Sequence, residues 1–211
     1  MPNVSNVKTK FFGAVDATDA DGISVSASIG SATTLTLGGT LTSGGSYTSG
    51  DNIGQIITIT SAADDSGITF TVVGTNAVGD ALTEVVTGAD TTVASSSGYF
   101  NTVTSITTSA ATAGAVTAGV LGSSTAGEMG TGTVFAGRTR IRGLQGLSGA
   151  SAGNLLFKNT SVTGTTLLTV PTQAAAELIE PYIPDNAVLF DAGAYVNFGS
   201  AVATVTVFYD G

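Results

Sequence analysis

Between residues 50 and 120 apolar and hydroxyl-bearing side chains alternate with a period of two, the spacing at which successive side chains of a strand leave opposite faces. The run Ile68-Thr69-Phe70-Thr71-Val72-Val73-Gly74 places Ile68, Phe70 and Val72 on one face. Residues 56–60, 82–87, 99–107 and 115–120 repeat the pattern, and turn-forming stretches such as 63–67 and 76–80 separate them. Thr and Val are branched at Cβ and stiff, so they fit a pleated, half-buried surface better than a helix. Residues 23–41 read as one or two more strands of the same pair of sheets. Short strands closed by regularly spaced turns predict an antiparallel sandwich.

The C-terminal third follows the same logic. Residues 132–135, 138–143, 154–158, 165–170, 188–190, 194–198 and 203–209 read as strands. One helix-friendly window, 173–180, is short and bracketed by Pro171, Pro181 and Pro184, so it is read as extended. The expected fold is therefore all-β, with two consecutive antiparallel β-sandwich domains, Ig-like or jelly-roll-like. Residues 1–20 form an N-terminal arm and 21–120 an acidic domain; 121–132 are a Gly/Ser/Thr-rich linker and 133–211 the second domain.

Charge supports that boundary. Residues 13–130 hold ten acids and no base, whereas Arg138, Arg140, Arg142 and Lys158 all follow. The formal net charge is −9, and only 10% of residues are charged. His and Cys are absent, which excludes Ser–His–Asp and Cys–His nucleophile pairs, zinc sites of the usual ligands and disulfides. Asp16, Asp19 and Asp21 resemble half a calcium loop. Positions 3 and 5 are Thr18 and Ala20, however, and no Glu closes the loop, so no metal or cofactor is expected. A hydrolase using carboxylates alone, such as Asp64-Asp65 or Glu84 with Asp90, ranks last, because adjacent acids on a hairpin tip rarely converge on a substrate. A net acidic chain without a broad basic patch argues against nucleic acid as partner. No stretch has the length of apolar residues that a membrane span requires.

Two segments resemble structural proteins of tailed-bacteriophage virions. The first is Ile57–Gly88, with Asp65-Ser66-Gly67-Ile68-Thr69-Phe70-Thr71-Val72 and Ala81-Leu82-Thr83-Glu84, followed by Tyr99-Phe100-Asn101-Thr102-Val103-Thr104-Ser105-Ile106. The second is similar to small virion-associated proteins of marine phages, cyanophages especially. It carries Ser151-Ala152-Gly153, Phe157-Lys158, Gly164-Thr165-Thr166-Leu167-Leu168, Ile183-Pro184, Leu189-Phe190, Ala194-Tyr195 and Val205-Thr206-Val207-Phe208-Tyr209. The resemblance implies a non-enzymatic role in the particle, as capsid decoration (cement), head-fibre or tail protein. It also implies synthesis in the host cytoplasm, the major capsid protein or another virion subunit as partner, and a homo-oligomer, commonly a trimer. It transfers no catalytic residues.

The residues expected to bind that partner are Phe11, Phe12, Arg138, Arg140 and Arg142. On a strand the three arginines share one face, and like charges in a row call for something negative opposite. Arg suits such docking because its planar fork pairs carboxylates bidentately. The alternative for them is a solvated edge protected by charge. Phe11-Phe12 either anchors a terminal arm in a partner's groove or belongs to a strand covering the first sandwich. A host-contacting fibre module that binds glycans would instead bring Tyr47, Tyr99, Tyr182 and Tyr195 together at a tip.

Overall fold

The computed structural model describes residues 6–122, 128–199 and 202–211. In chain order its strands are β1 (Lys8–Phe12), β2 (Asp19–Ser28), β3 (Thr42–Ser43), β4 (Ser46–Thr48), β5 (Gly54–Ser61) and β6 (Thr69–Thr75). Then come β7 (Ala81–Thr87), β8 (Val93–Phe100), β9 (Thr102–Thr108), β10 (Ala115–Val120), β11 (Glu128–Phe135) and β12 (Thr139–Ser148). The last six are β13 (Gly153–Asn159), β14 (Thr166–Thr172), β15 (Leu178–Ile179), β16 (Val188–Phe190), β17 (Ala194–Gly199) and β18 (Val202–Asp210). The described residues contain no α-helix, and the fold is all-β and sandwich-like, as the alternation predicts. The window 173–180 contains only β15.

The chain divides into two compact units. The acidic unit comprises residues 16–49 and 54–125. Its strands pair antiparallel in the orders β8–β5–β10–β2 and β3–β4–β9–β6–β7. Ile23, Ile57, Ile59, Phe70, Val72, Phe100, Ile106 and Val116 fill its core. The run expected as one strand over 99–107 breaks at Asn101, and β8 and β9 pair with different neighbours. Asn101 N–H donates to Thr75 O, and its carbonyl accepts from Ser49 N–H, which fixes the corner. Gly74 is required at a β6–β9 register shift, because a Cβ there would lie 1.8 Å from Thr102 O.

The second unit is assembled from residues 1–15, 50–53 and 126–211. One set of strands runs β1–β18–β12, with β15 and β16 both on the far edge of β12; the other runs β14–β13–β17–β11. This corrects the N-terminal arm. Residues 8–12 form a strand in register with β18, from Lys8 opposite Tyr209 to Phe12 opposite Val205. The segment covers the C-terminal unit, not the first sandwich. The two units are therefore not consecutive in sequence, since the acidic one is inserted within the other. The expected linker lies partly outside the described residues, at 123–127, and its last residues belong to β11.

Phe12 has no exposed surface and packs on Phe198, with ring centroids 5.7 Å apart. Lys10 points to the same side, its ammonium 5.7 Å from the Phe12 ring, and burial lowers its pKa. Truncating Phe12 leaves a cavity in a core lined by Phe157, Phe190 and Val196. Phe12→Ala is expected to lower stability by about 3–5 kcal/mol, whereas Phe11→Ala changes it by no more than about 0.5 kcal/mol. Urea unfolding of both variants checks this, and equal, small effects would return the segment to a loose arm.

Candidate functional site

Strand β12 begins one residue after Arg138. Up to Ile141 its odd positions point inward, with Thr139 and Ile141 buried, so Arg140 faces out. The register with β18 then slips, from Ile141 opposite Tyr209 to Gly143 opposite Phe208, leaving Arg142 as the extra residue of a bulge. Beyond it the buried positions are Leu144 and Ser148, and Gln145 and Leu147 face out. A bulge re-aims a side chain without sacrificing the alternation on either side. Here it lets Arg140, Arg142 and an apolar core occupy one strand, just after Arg138.

The arginines are held by their own unit. Arg142 pairs with Asp210 through Nε at 2.7 Å and through Nη2, and donates to Asp185 O at 3.1 Å. Arg138 lies 3.7 Å from Asp191, with both side chains well exposed, a pair that contributes little. Arg140 donates to Asn186 O at 2.6 Å and has no carboxylate partner among the described residues. Together they line an open depression of about 350 Å³ with Asn6, Leu189 and Asp210.

Phe11 arrives on the same face by a different route. Because Phe12 points into the core, Phe11 points away from it, 46% exposed. The registers then define four cross-strand rows on the outer face: Leu189–Arg140–Asp210, Gly143–Phe208–Thr9, Gln145–Thr206–Phe11 and Leu178–Leu147–Thr204. Leu178 is 62% exposed, and Leu147 and Val7 are also open to solvent. Four of the five sequence-predicted residues, Phe11, Arg138, Arg140 and Arg142, thus belong to one sheet face. Phe12 does not, and as a core residue it is withdrawn from the partner-binding set. Sequence reasoning missed Leu147, Leu178 and Phe208. The first two were legible only once the bulge was known, because the slip at Arg142 decides which leucine of β12 faces out.

The other candidates are used by the fold. Tyr47 is fully buried and Tyr195 nearly so, Tyr99 is half-buried in the acidic unit, and Tyr182 alone stands out at 86% exposure, so no tip gathers the tyrosines. Asp16 accepts from Gln55 Nε2 at 2.6 Å and from the Tyr47 hydroxyl at 3.2 Å. Burial, with the Asp16 charge adding to it, pushes the Tyr47 pKa well above the usual phenol range. Asp19 is held below the usual carboxylate range by the Thr40 hydroxyl at 2.8 Å. Asp64 is lowered by Ser66, which donates to it through Oγ and N–H. Asp65 is buried and accepts from Ala113 N–H at 2.7 Å. Glu84 accepts from Ser97 N–H at 2.6 Å, Ser97 Oγ at 3.0 Å and Gly98 N–H at 2.8 Å. Those two amides are turned away from β5 by a bulge in β8, so the carboxylate ties the edge of β7 to β8. Among the described residues no group of three or more acids is placed to hold a metal ion.

Comparison with protein families, with curated proteins and with solved structures finds no match to this chain.

Glu84→Gln keeps the shape but turns one acceptor into a donor facing an N–H, and is expected to cost about 1–3 kcal/mol. Urea titration measures this, and an unchanged midpoint would mean the Glu84 bonds carry no stability. For Tyr47 the sign follows from its raised folded pKa. The contribution is complete below about pH 10, where the unfolded phenol titrates, and is lost as pH rises further. Stability measured from pH 8 upward should therefore fall above about pH 10, and less steeply in Tyr47→Phe. An equal slope in both proteins would remove Tyr47 as the cause.

Proposed function

We propose that this chain is a non-enzymatic structural protein of a tailed-bacteriophage particle, a decoration or cement protein that binds the head shell through the outer face of the β1–β18–β12 sheet. The observation carrying the reading is the convergence of Phe11 with Arg138, Arg140 and Arg142 on that face, although well over a hundred residues of sequence separate them. The virion setting rests on the sequence resemblance, which covers roughly residues 50–120 and 132–211. A cement protein needs no reacting groups. It needs a repeated interface whose many weak contacts add through multivalency on a lattice. An apolar centre of Phe11, Phe208, Leu147 and Leu178 beside arginines matches the composition of binding interfaces, where aromatics and Arg are enriched.

Purified protein added to undecorated heads should saturate at a fixed copy number per lattice site, counted by electron microscopy. Replacing Arg138, Arg140 and Arg142 together by Ser should weaken attachment, with most of the loss at low salt, where exposed charges are least screened. Binding to host cells with none to heads would overturn the reading.

A further inference from the structure

Beside that face, the C-terminal unit is open along one edge. Strands β14 and β15 each pair on one side only, β14 with β13 and β15 with β12. Their inward positions, Val170 and Thr172 on one and Ile179 on the other, line a cleft of about 250 Å³. The segment that joins the two strands is pinned by Ser148, whose hydroxyl donates to Ala175 O at 3.1 Å and accepts from Glu177 N–H at 2.9 Å. Ser148 N–H in turn donates to Glu177 O at 2.8 Å. The cleft is therefore built before anything enters it. Two of its features are left unmatched by the unit itself. Thr172 is only 4% exposed, yet its hydroxyl has no hydrogen-bond partner. Glu177 and Glu180 stand at the rim, both exposed and without an ion pair among the described residues.

From this we infer that the cleft receives an arginine side chain of a partner protein. Its volume lies below the roughly 300–1,000 Å³ that holds a whole small-molecule ligand, and suits one long side chain. The aliphatic stem lies on Val170, Pro171 and Ile179, as such stems cover apolar surface while the charged head stays near water. The planar guanidinium brings five N–H donors and no acceptor. The cleft offers acceptors to match, two carboxylates at the rim and the Thr172 hydroxyl within. An acidic side chain would meet like charge here, and an apolar one would leave the hydroxyl and both acids unmatched. Pro171 interrupts the run of N–H groups along β14, so an inserted side chain fits this edge better than an added strand. The inference does not rest on the head-shell reading, because Thr172, Glu177 and Glu180 lie outside that surface.

Amide chemical shifts of the full chain, titrated with the acetylated and amidated peptide Ala-Val-Arg-Val-Ala, test this. Shifts should concentrate at Ser148 and residues 170–181, with a Kd on the order of 1 mM, since partly exposed ion pairs are weak. The same peptide with citrulline, which keeps the shape and loses the charge, should bind about threefold to tenfold more weakly. Glu177→Gln with Glu180→Gln should abolish that preference. Thr172→Val removes only an unpaired hydroxyl, so the urea midpoint should hold while the arginine peptide binds less well. Shifts spread over the acidic unit, equal affinity for the citrulline peptide, or a preference that survives the Gln variant would overturn the inference. So would unchanged binding by Thr172→Val, or no shifts at about 10 mM peptide. Heads take no part in these measurements, so the decoration reading stands or falls separately.

Discussion

A strand cannot send two adjacent side chains to the same side, and the C-terminal unit depends on that constraint at its N-terminal edge. Burying Phe12 against Phe198 is favourable by the area of a whole aromatic side chain. The same act forces Phe11 into solvent beside Thr206 and fixes the register of β1 on β18. Core and outer face are therefore one decision, and neither phenylalanine can be moved alone. Strand β12 meets the same constraint and escapes it with a bulge. Were Arg142 paired in regular alternation instead of bulged out, Leu144 would face water and Gln145 the interior. The bulge and the Phe11–Phe12 pair are the two places where the outer face of this sheet is set.

The sequence made the class of fold legible because alternation is local. Strands β5, β6, β7 and β10 lie close to where period two puts them, and no tertiary contact was needed to see them. What stayed hidden was non-local. Nothing near residues 8–12 says that their partner is β18, and an unpaired pair of aromatics reads as an arm. The corner at Asn101 was missed because Phe100 and Val103, both buried, belong to strands of different sheets, while the intervening residues keep a strand-like composition. The arginine face was readable because Arg138, Arg140 and Arg142 keep their spacing, although their partners Asp185, Asn186, Asp191 and Asp210 come from loops and a strand end. Glu84 looked like a spare carboxylate and proves to be a tie, since the amides it binds exist only through the bulge in β8.

The structure also redraws the charge asymmetry. All six basic residues fall in the unit built from both ends of the chain, against seven acids, and the inserted unit has eight acids and no base. The inserted unit manages its excess with hydroxyls: Thr40, Ser66 and Ser97 donate to Asp19, Asp64 and Glu84. Threonine pairs do similar work, Thr75 with Thr102 between β6 and β9 at 2.8 Å and Thr34, at an isolated bridge, with Thr107 of β9 at 3.1 Å. Cross-strand pairs of this kind contribute roughly 0.2–1 kcal/mol each. A surface poor in ions is thereby kept both wettable and ordered.

The pairing of β1 with β18 also sets an order of events during synthesis. Lys8 donates to the carbonyl of Gly211, 203 residues away, so β1 waits for β18. The inserted unit has no such delay, because its pairings close between residues 19 and 120. A growing chain can complete its acidic half while Phe11 and Phe12 are still without a sheet. Contacts this distant in sequence are formed slowly, because the loop must close before any contact compensates for its entropy. During that interval an apolar strand edge is open to solvent, and it is flanked by Lys8 and Lys10, the charge that keeps such edges from joining the wrong neighbour.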